Sequence, residues 1–292
     1  SDSFIVSGTS IGYRVSGKII KSGNEPLLAD DTENLVSQIF QMAGYSLSVR
    51  NEGNNEYDFS FSVAGLGRFR ANIYKQRGSL AAVLRTVMYE LPDYKFLNIS
   101  EKIMELANLK KGIVLITGAA GSGKSTTLTC MLDYINENRN GHIITIEDPI
   151  EFLHRHKNCI ISQREISIDA NNYVKALRSA LRQSPDVILV GEMRDYETMN
   201  IAMTAAETGQ LILSTLHTIG AANTIDRVID VFPPAQQHQI RLQLAMVLQA
   251  VVSQQLIPTI SGGLIPAFEI MTVNNAIRTM IREQKTHQID TI

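Results

Sequence analysis

The densest chemistry in this 292-residue chain lies in Gly118-Ala-Ala-Gly-Ser-Gly-Lys-Ser125, which fits the spacing G-x-x-x-x-G-K-[ST]. Glycines at such spacing let a backbone wrap closely around phosphate oxygens with its N–H groups turned inward. Lys124 would then reach the β- and γ-phosphates, and the Ser125 hydroxyl would ligate Mg²⁺. The bland alternative is a glycine-rich turn with a stray lysine. The context the motif needs is present: Ile113–Thr117 reads as a buried strand before it, and Thr126 to Tyr134 as a helix after it. Gly118, Gly121, Ser122, Gly123, Lys124, Ser125 and Thr126 are the candidate nucleotide-binding residues, with ATP and Mg²⁺ as the expected ligands.

Three further clusters carry charge or a titratable ring. Glu147-Asp-Pro-Ile-Glu151 puts three carboxylates into five residues. They repel one another unless they face a cation or orient a water. The alternative is a solvated acidic turn. Asp186-Val-Ile-Leu-Val-Gly-Glu192-Met-Arg-Asp195 is an apolar strand running into acids, a Walker B arrangement with Gly191 at the usual Asp position. Metal contact therefore falls to Glu192, through water, because Mg²⁺ keeps much of its hydration shell. Asp195 reads as the cap of a helix starting near Tyr196. Ser214-Thr-Leu-His217-Thr218 ends another strand, and His217 there suits a γ-phosphate sensor, although a lone histidine is more often structural. His154 and His156 read as surface residues.

These clusters need elements to hold them. Short apolar runs at Ile113–Thr117, Ile143–Ile146, Val187–Val190 and Leu211–Thr215, separated by helix-length segments, read as buried parallel strands of an open α/β sheet. Ligands of such sheets sit beyond the carboxyl ends of the strands, and every cluster above falls just after one of these runs. The first 97 residues read differently, as a small α+β domain. Thr32 to Ala43 forms a helix closed by Gly44. Tyr57–Val63 and Arg68–Tyr74 alternate with period 2 around a Gly65-Leu66-Gly67 turn. Leu91 to Asn98 reads as the linker to a second domain over 98–292. Arg68, Arg70, Arg77 and Arg85 crowd this region, either as a solvated strand face or as arginine fingers reaching a neighbouring subunit's γ-phosphate. Near the end, Asn274 caps a short helix whose Arg278 and Arg282 lie one turn apart. That basic edge is either a solvent face or a contact surface for a partner.

Bulk properties remove several classes. The net charge is −2, with 27 Lys and Arg against 29 Asp and Glu, balanced at ten and ten up to residue 97. No half is a basic block, so nucleic acid is not the expected partner. No apolar run approaches the roughly 20 residues that span a bilayer, and no stretch reads as a secretion signal. Cys130 and Cys159 have no metal-ligand spacing and read as small buried hydrophobes of a reducing compartment.

Taken together, these residues resemble the secretion-type ATPase superfamily, and most closely its type IV pilus retraction branch. The similarity runs over nearly the whole chain and is strongest from Gly112 onward. Glu147-Asp-Pro-Ile-Glu151 resembles the Asp box, Gly191-Glu-Met-Arg-Asp195 the Walker B, where Gly for Asp is normal, and Thr208-Gly-Gln through His217-Thr218 the His box. Ala276-Ile-Arg-Thr-Met-Ile-Arg-Glu283 is similar to the Ala-Ile-Arg motif of retraction motors. Ala119-Ala120 replaces the common Pro-Thr. Two scattered cysteines cannot build the four-cysteine metal insertion of assembly and type II secretion ATPases.

The resemblance implies a PAS-like N-terminal α+β domain, a RecA-like α/β P-loop NTPase domain and a ring of six. It implies Glu151 as general base, Glu192 supporting Mg²⁺, and Arg70 and Arg85 as N-terminal sensor arginines. The implied function is ATP-driven pilus retraction by a cytoplasmic homo-hexamer, peripheral to the inner face of the membrane and docked on a platform protein without inserting in the bilayer. The rivals are an assembly or type II secretion ATPase, an accessory retraction paralogue, a nucleic-acid translocase, and a nucleotide-binding scaffold without turnover.

Overall fold

The computed structural model of the chain describes residues 2–15, 18–44, 55–87, 91–260 and 262–291. Its contacts divide into two units, Ser1–Tyr89 with Glu151–Leu153, and Glu90–Ile150 with His154–Ile292.

In the first unit, β1 (Asp2–Ile5), β2 (Gly12–Val15), β3 (Lys18–Lys21), α1 (Ala29–Met42), β4 (Glu56–Val63), β5 (Gly67–Gln76) and β6 (Ser79–Val87) follow in order. The strands form one antiparallel sheet in the order β3-β2-β1-β6-β5-β4. Helix α1 starts earlier than its apolar pattern marks, because the Asp31 carboxylate accepts a hydrogen bond from the Leu28 N–H and so satisfies a free donor at the helix start. Gly44, at φ +77°, takes the left-handed turn after it. Val36, Ile39 and Phe40 bury the inner face of α1 against Phe59, Phe61, Ala71 and Ile73. Alternation along β4 and β5 sends Phe59, Phe61 and Ile73 inward.

The second unit runs α2 (Glu101–Leu106), β7 (Gly112–Thr117), α3 (Lys124–Asn138), β8 (His142–Glu147), β9 (Ile160–Glu165), α4 (Tyr173–Ala180), β10 (Val187–Val190), α5 (Tyr196–Glu207), β11 (Leu211–Leu216), α6 (Ala221–Asp230), α7 (Pro234–Val247), β12 (Leu248–Pro258), β13 (Leu264–Thr272) and α8 (Asn275–Arg282). The sheet order is β13-β12-β7-β11-β10-β8-β9, parallel throughout except for the β12–β13 hairpin. Strands β7, β10 and β11 are buried along their whole length, which is why they read as unbroken apolar runs. One core face gathers Leu115, Ile146, Val190 and Leu244; the other gathers Ile116, Met131, Leu132 and Leu213.

Caps fall where the residue types place them. Asp195 accepts from the Thr198 N–H at 2.8 Å to start α5, and Asn274 accepts from the Ile277 N–H at 2.9 Å to start α8. Arg278 donates to the carbonyls of Ala245 and Met246, the last turn of α7. That cation therefore closes a helix end, where the dipole favours positive charge. Cys130 and Cys159 are buried thiols. Burial pushes the Cys130 thiol up to about 12. Among the described residues no helix is long and apolar enough to cross a membrane.

Candidate active site

Strand β7 delivers Gly118 into a loop that turns through left-handed glycines, Gly121 at φ +76° and Gly123 at φ +86°, into α3. A side chain at Gly118 has no room: a Cβ there would stand 2.2 Å from the Gln254 carbonyl oxygen. Lys124 is 7% exposed and donates from Nζ to the carbonyls of Gly118, at 2.9 Å, and Ala119, at 2.8 Å. Ser122 and Thr117 carry buried hydroxyls with no hydrogen-bond partner among the described residues. Orphaned hydroxyl donors in a glycine-rich turn suit an anion with several acceptor oxygens. Ser125 and Thr126 occupy the first turn of α3, where the helix dipole also favours phosphate.

Because β11 lies between β7 and β10, and β8 lies beyond β10, the carboxyl ends line up as loop, His217, Glu192 and Glu147. Spacing of about 4.8 Å between neighbouring strands puts these side chains on one rim. Ser214 Oγ donates to the Val190 carbonyl and Thr215 Oγ1 to the Gly191 carbonyl, each at 2.6 Å, which pins β11 to β10 just beneath it. Glu192 pairs with Arg194 Nε at 2.7 Å and lies 3.6 Å from His217 Nε2. Glu147 accepts from Thr145 Oγ1 at 2.5 Å and from Gln163 Nε2 at 3.3 Å, so it is held within its own sheet edge. A cavity of about 330 Å³ opens beside Glu192, Arg194, His217, Thr218 and Arg227.

The Ser125 hydroxyl and the Glu192 carboxylate are hard oxygen donors, the kind Mg²⁺ takes. Among the described residues no three His, Cys, Asp or Glu gather into a closed cage. A sparse oxygen set of this kind leaves positions for phosphate and water, which is how Mg²⁺ sits on nucleotides.

Two contributors to the site carry no mark in the sequence. Tyr173, the first residue of α4, places its hydroxyl 3.1 Å from where a Cβ on Gly191 would stand, with the Ile146 carbonyl at 3.3 Å. That packing accounts for glycine at the position where a Walker B acid is expected. Burial raises the Tyr173 phenol above its ordinary range, and the charges of Glu192, Asp148 and Glu147 raise it further, so it stays protonated beside them. Gln254 on β12, 2% exposed, packs against the loop from behind. Nothing in the local pattern of either residue marks it.

His154 is a correction. It is half-buried with an enclosed Nδ1, and burial lowers it to about 4, so it is neutral and structural rather than a surface residue. His156 Nδ1 accepts from the Ile161 N–H at 3.0 Å.

In the first unit, Arg70 and Arg85 are direct cross-strand neighbours on β5 and β6. Each has its own acid: Arg70 makes a two-point contact with Asp58, at 3.0 and 2.6 Å, and Arg85 Nε donates to Asp2 at 2.8 Å. The Asp2 hydrogen bond and charge hold the Arg85 guanidinium raised, and Glu151 contributes in the same direction. Glu151 is exposed and belongs by its contacts to this unit, whereas Lys124, Glu192 and His217 belong to the other.

A glycine loop between a buried strand and a helix, with a lysine, a carboxylate and a histidine on the rim of a parallel sheet, defines a RecA-like P-loop ATPase fold. The family described as Type II/IV secretion system protein matches residues 81–289, and the chain belongs to it. It is 51% identical over 234 residues to the type IV pilus retractation ATPase PilT of Pseudomonas aeruginosa, covering 80% of this chain and 68% of that one. It is 43% identical over 280 residues to a twitching motility protein of Neisseria gonorrhoeae, covering 96% and 74%. The crystal structure of the pilus retraction motor PilT with bound ADP superposes with a TM-score of 0.93 at 45% identity, covering 100% of this chain and 84% of that one.

Proposed function

We propose that this chain is an ATP-hydrolysing motor subunit that drives retraction and disassembly of type IV pili, acting as a homo-hexamer on an inner-membrane platform protein. The observation that carries the reading is the shared rim of Lys124, His217 and Glu192, on a chain 51% identical to a pilus retraction ATPase. Loop N–H groups and Lys124 hold the β- and γ-phosphates. Ser125 and Glu192 would hold Mg²⁺, and the ion would supply neutralisation of charge on the phosphate oxygens. Glu151 takes the proton of a water that attacks the γ-phosphorus, and the bond to the β–γ bridging oxygen breaks to leave ADP and phosphate. His217 senses the γ-phosphate. Arg70 and Arg85, supplied by a neighbouring subunit, stabilise the charge that spreads in the transition state.

In this reading each turnover moves one domain against the other, and the ring converts those movements into withdrawal of pilin from the fibre. The same reading puts the ring in the cytoplasm, at the inner face of the membrane. Deleting the gene and scoring pilus number with twitching tests the reading. Excess pili with lost motility are expected. Bald cells would point to assembly instead, and piliated, fully motile cells would leave a motor role unsupported.

A further inference from the structure

Gln254 is polar, 2% exposed and on β12, between β13 and β7, a position that has to be explained. The β12–β7 register pairs Ser253 with Thr117, so Gln254 follows directly behind Gly118, the first residue of the phosphate loop. Two parts of the glutamine touch that loop. Its carbonyl oxygen fills the space a Cβ at Gly118 would need, and its Nε2 stands 2.9 Å from where a Cβ on Gly123 would be. Its Oε1 accepts from Thr127 Oγ1 at 2.7 Å, and Thr127 is wholly buried. One side-chain amide thus brackets Lys124, Ser125 and Thr126, with Gly123 before them and Thr127 after them.

The residue before it works on the opposite face of the strand. Ser253 Oγ accepts from the Gly220 N–H at 3.1 Å, and its cross-strand partner Glu269 accepts from the Ala221 N–H at 3.0 Å. These bonds fix the loop that follows His217. Successive residues of β12 therefore brace the phosphate loop on one side and the histidine loop on the other.

We propose that Gln254 is a positioning residue for ATP turnover. It holds the glycine end of the phosphate loop in register with the first turn of α3, so that Lys124 and Ser125 meet the phosphates in a reactive geometry. The proposal rests on the reading of Gly118–Ser125 as the ATP loop.

The test uses the full chain with phosphate release under steady-state ATP, together with thermal unfolding. The variants are Gln254→Met, which keeps volume and removes both hydrogen-bonding atoms, Thr127→Val, Thr127→Ser, and the Gln254→Met/Thr127→Val pair. Misplacement of a reacting group falls mainly on kcat, so Gln254→Met should lower kcat about tenfold or more while KM moves less than about threefold. Removing both partners leaves no orphaned hydroxyl, so the pair should regain thermal stability relative to the single variants while kcat stays low. Thr127→Ser, which keeps the hydroxyl, should exceed Thr127→Val in kcat.

A kcat for Gln254→Met within about twofold of wild type would overturn the proposal, as would a kcat that recovers in step with stability in the pair. If Gln254→Met fails to fold, equal kcat for Thr127→Ser and Thr127→Val would overturn it. Lys124→Ala separates the two readings. Undiminished hydrolysis in Lys124→Ala removes the ATP-loop reading and the proposal with it. Loss of hydrolysis there, with wild-type turnover in the Gln254 and Thr127 variants, removes only the positioning role.

Discussion

His217 Nε2 lies 3.6 Å from Glu192 Oε2, the same carboxylate oxygen that Arg194 Nε approaches to 2.7 Å. The two side chains that approach it are not equivalent. His217 follows β11 directly on the rim of the sheet with its side chain 52% exposed, whereas the Arg194 side chain, two residues past Glu192, is 75% exposed. An exposed ion pair contributes about 1 kcal/mol or less. Arg194→Ala should therefore leave ATP turnover within about threefold of wild type by phosphate release. Glu192→Gln removes a charge from the rim itself and should lower kcat about 100-fold. The reverse ranking would mean that the arginine, not the carboxylate, is the functional group.

Glu151→Gln keeps the size and polarity of the side chain and removes its basicity. If Glu151 takes the proton of the attacking water, kcat should fall by about 10² to 10⁴. Nucleotide affinity, read with a fluorescent ATP analogue, should change little, because the phosphate loop is untouched. Turnover near the wild-type rate would remove Glu151 from the base role.

Gly191 is constrained by space and not by backbone conformation. A methyl group there would meet the Tyr173 hydroxyl at 3.1 Å and the Ile146 carbonyl at 3.3 Å. Gly191→Ala should cost about 1–3 kcal/mol in denaturant unfolding, the range for overpacking. Adding Tyr173→Phe should restore part of that loss, since only the hydroxyl contact is relieved. Strict additivity of the two changes would show that Tyr173 does not set the glycine.

His154 links stability to pH. Its ring sits at about 4 when folded because burial disfavours the charged form, against an ordinary value of 6.5; Lys157 lowers it further and Asp133 acts in the opposite sense. Below pH 6.5 the unfolded chain takes up a proton that the folded chain refuses. The stabilisation is complete above that pH and is lost progressively down to about 4. Between pH 7.5 and 5 this one group should account for about 2 kcal/mol of lost stability. In His154→Gln that part of the pH dependence should vanish in parallel melting curves. An unchanged pH profile would place the ring in solvent.

What the sequence discloses depends on how local each signal is. Val187–Val190 is readable to the residue, and the other three rim strands to within a residue or so, because strands buried on both faces leave unbroken apolar runs. Glu192, His217 and the glycine loop follow from those strands, since polar groups just past a parallel strand stand on the ligand side of the sheet. Strand β12 stays hidden because it continues from α7 with no turn residue between Val247 and Leu248, so no composition change marks the passage from helix to strand. Gln254 is hidden with it, and its partners Gly123 and Thr127 are far away in sequence. Tyr173 looks like an ordinary helix start, and only the fold brings it over Gly191. In the first unit β2 and β3 are mostly exposed, so neither alternation nor an apolar run announces them. Arg70 and Arg85 stand out by type, yet their direct cross-strand pairing and their partners Asp58 and Asp2 appear only once β1, β5 and β6 are in register.

The most direct test of the motor reading is retraction itself, measured by live imaging of fluorescently labelled pili in cells carrying Lys124→Ala in place of the wild-type chain. The expected result is pili that extend normally and then stay extended, with retraction events nearly abolished. Retraction at wild-type speed and frequency in those cells would contradict the assignment of pilus retraction to ATP turnover at this site.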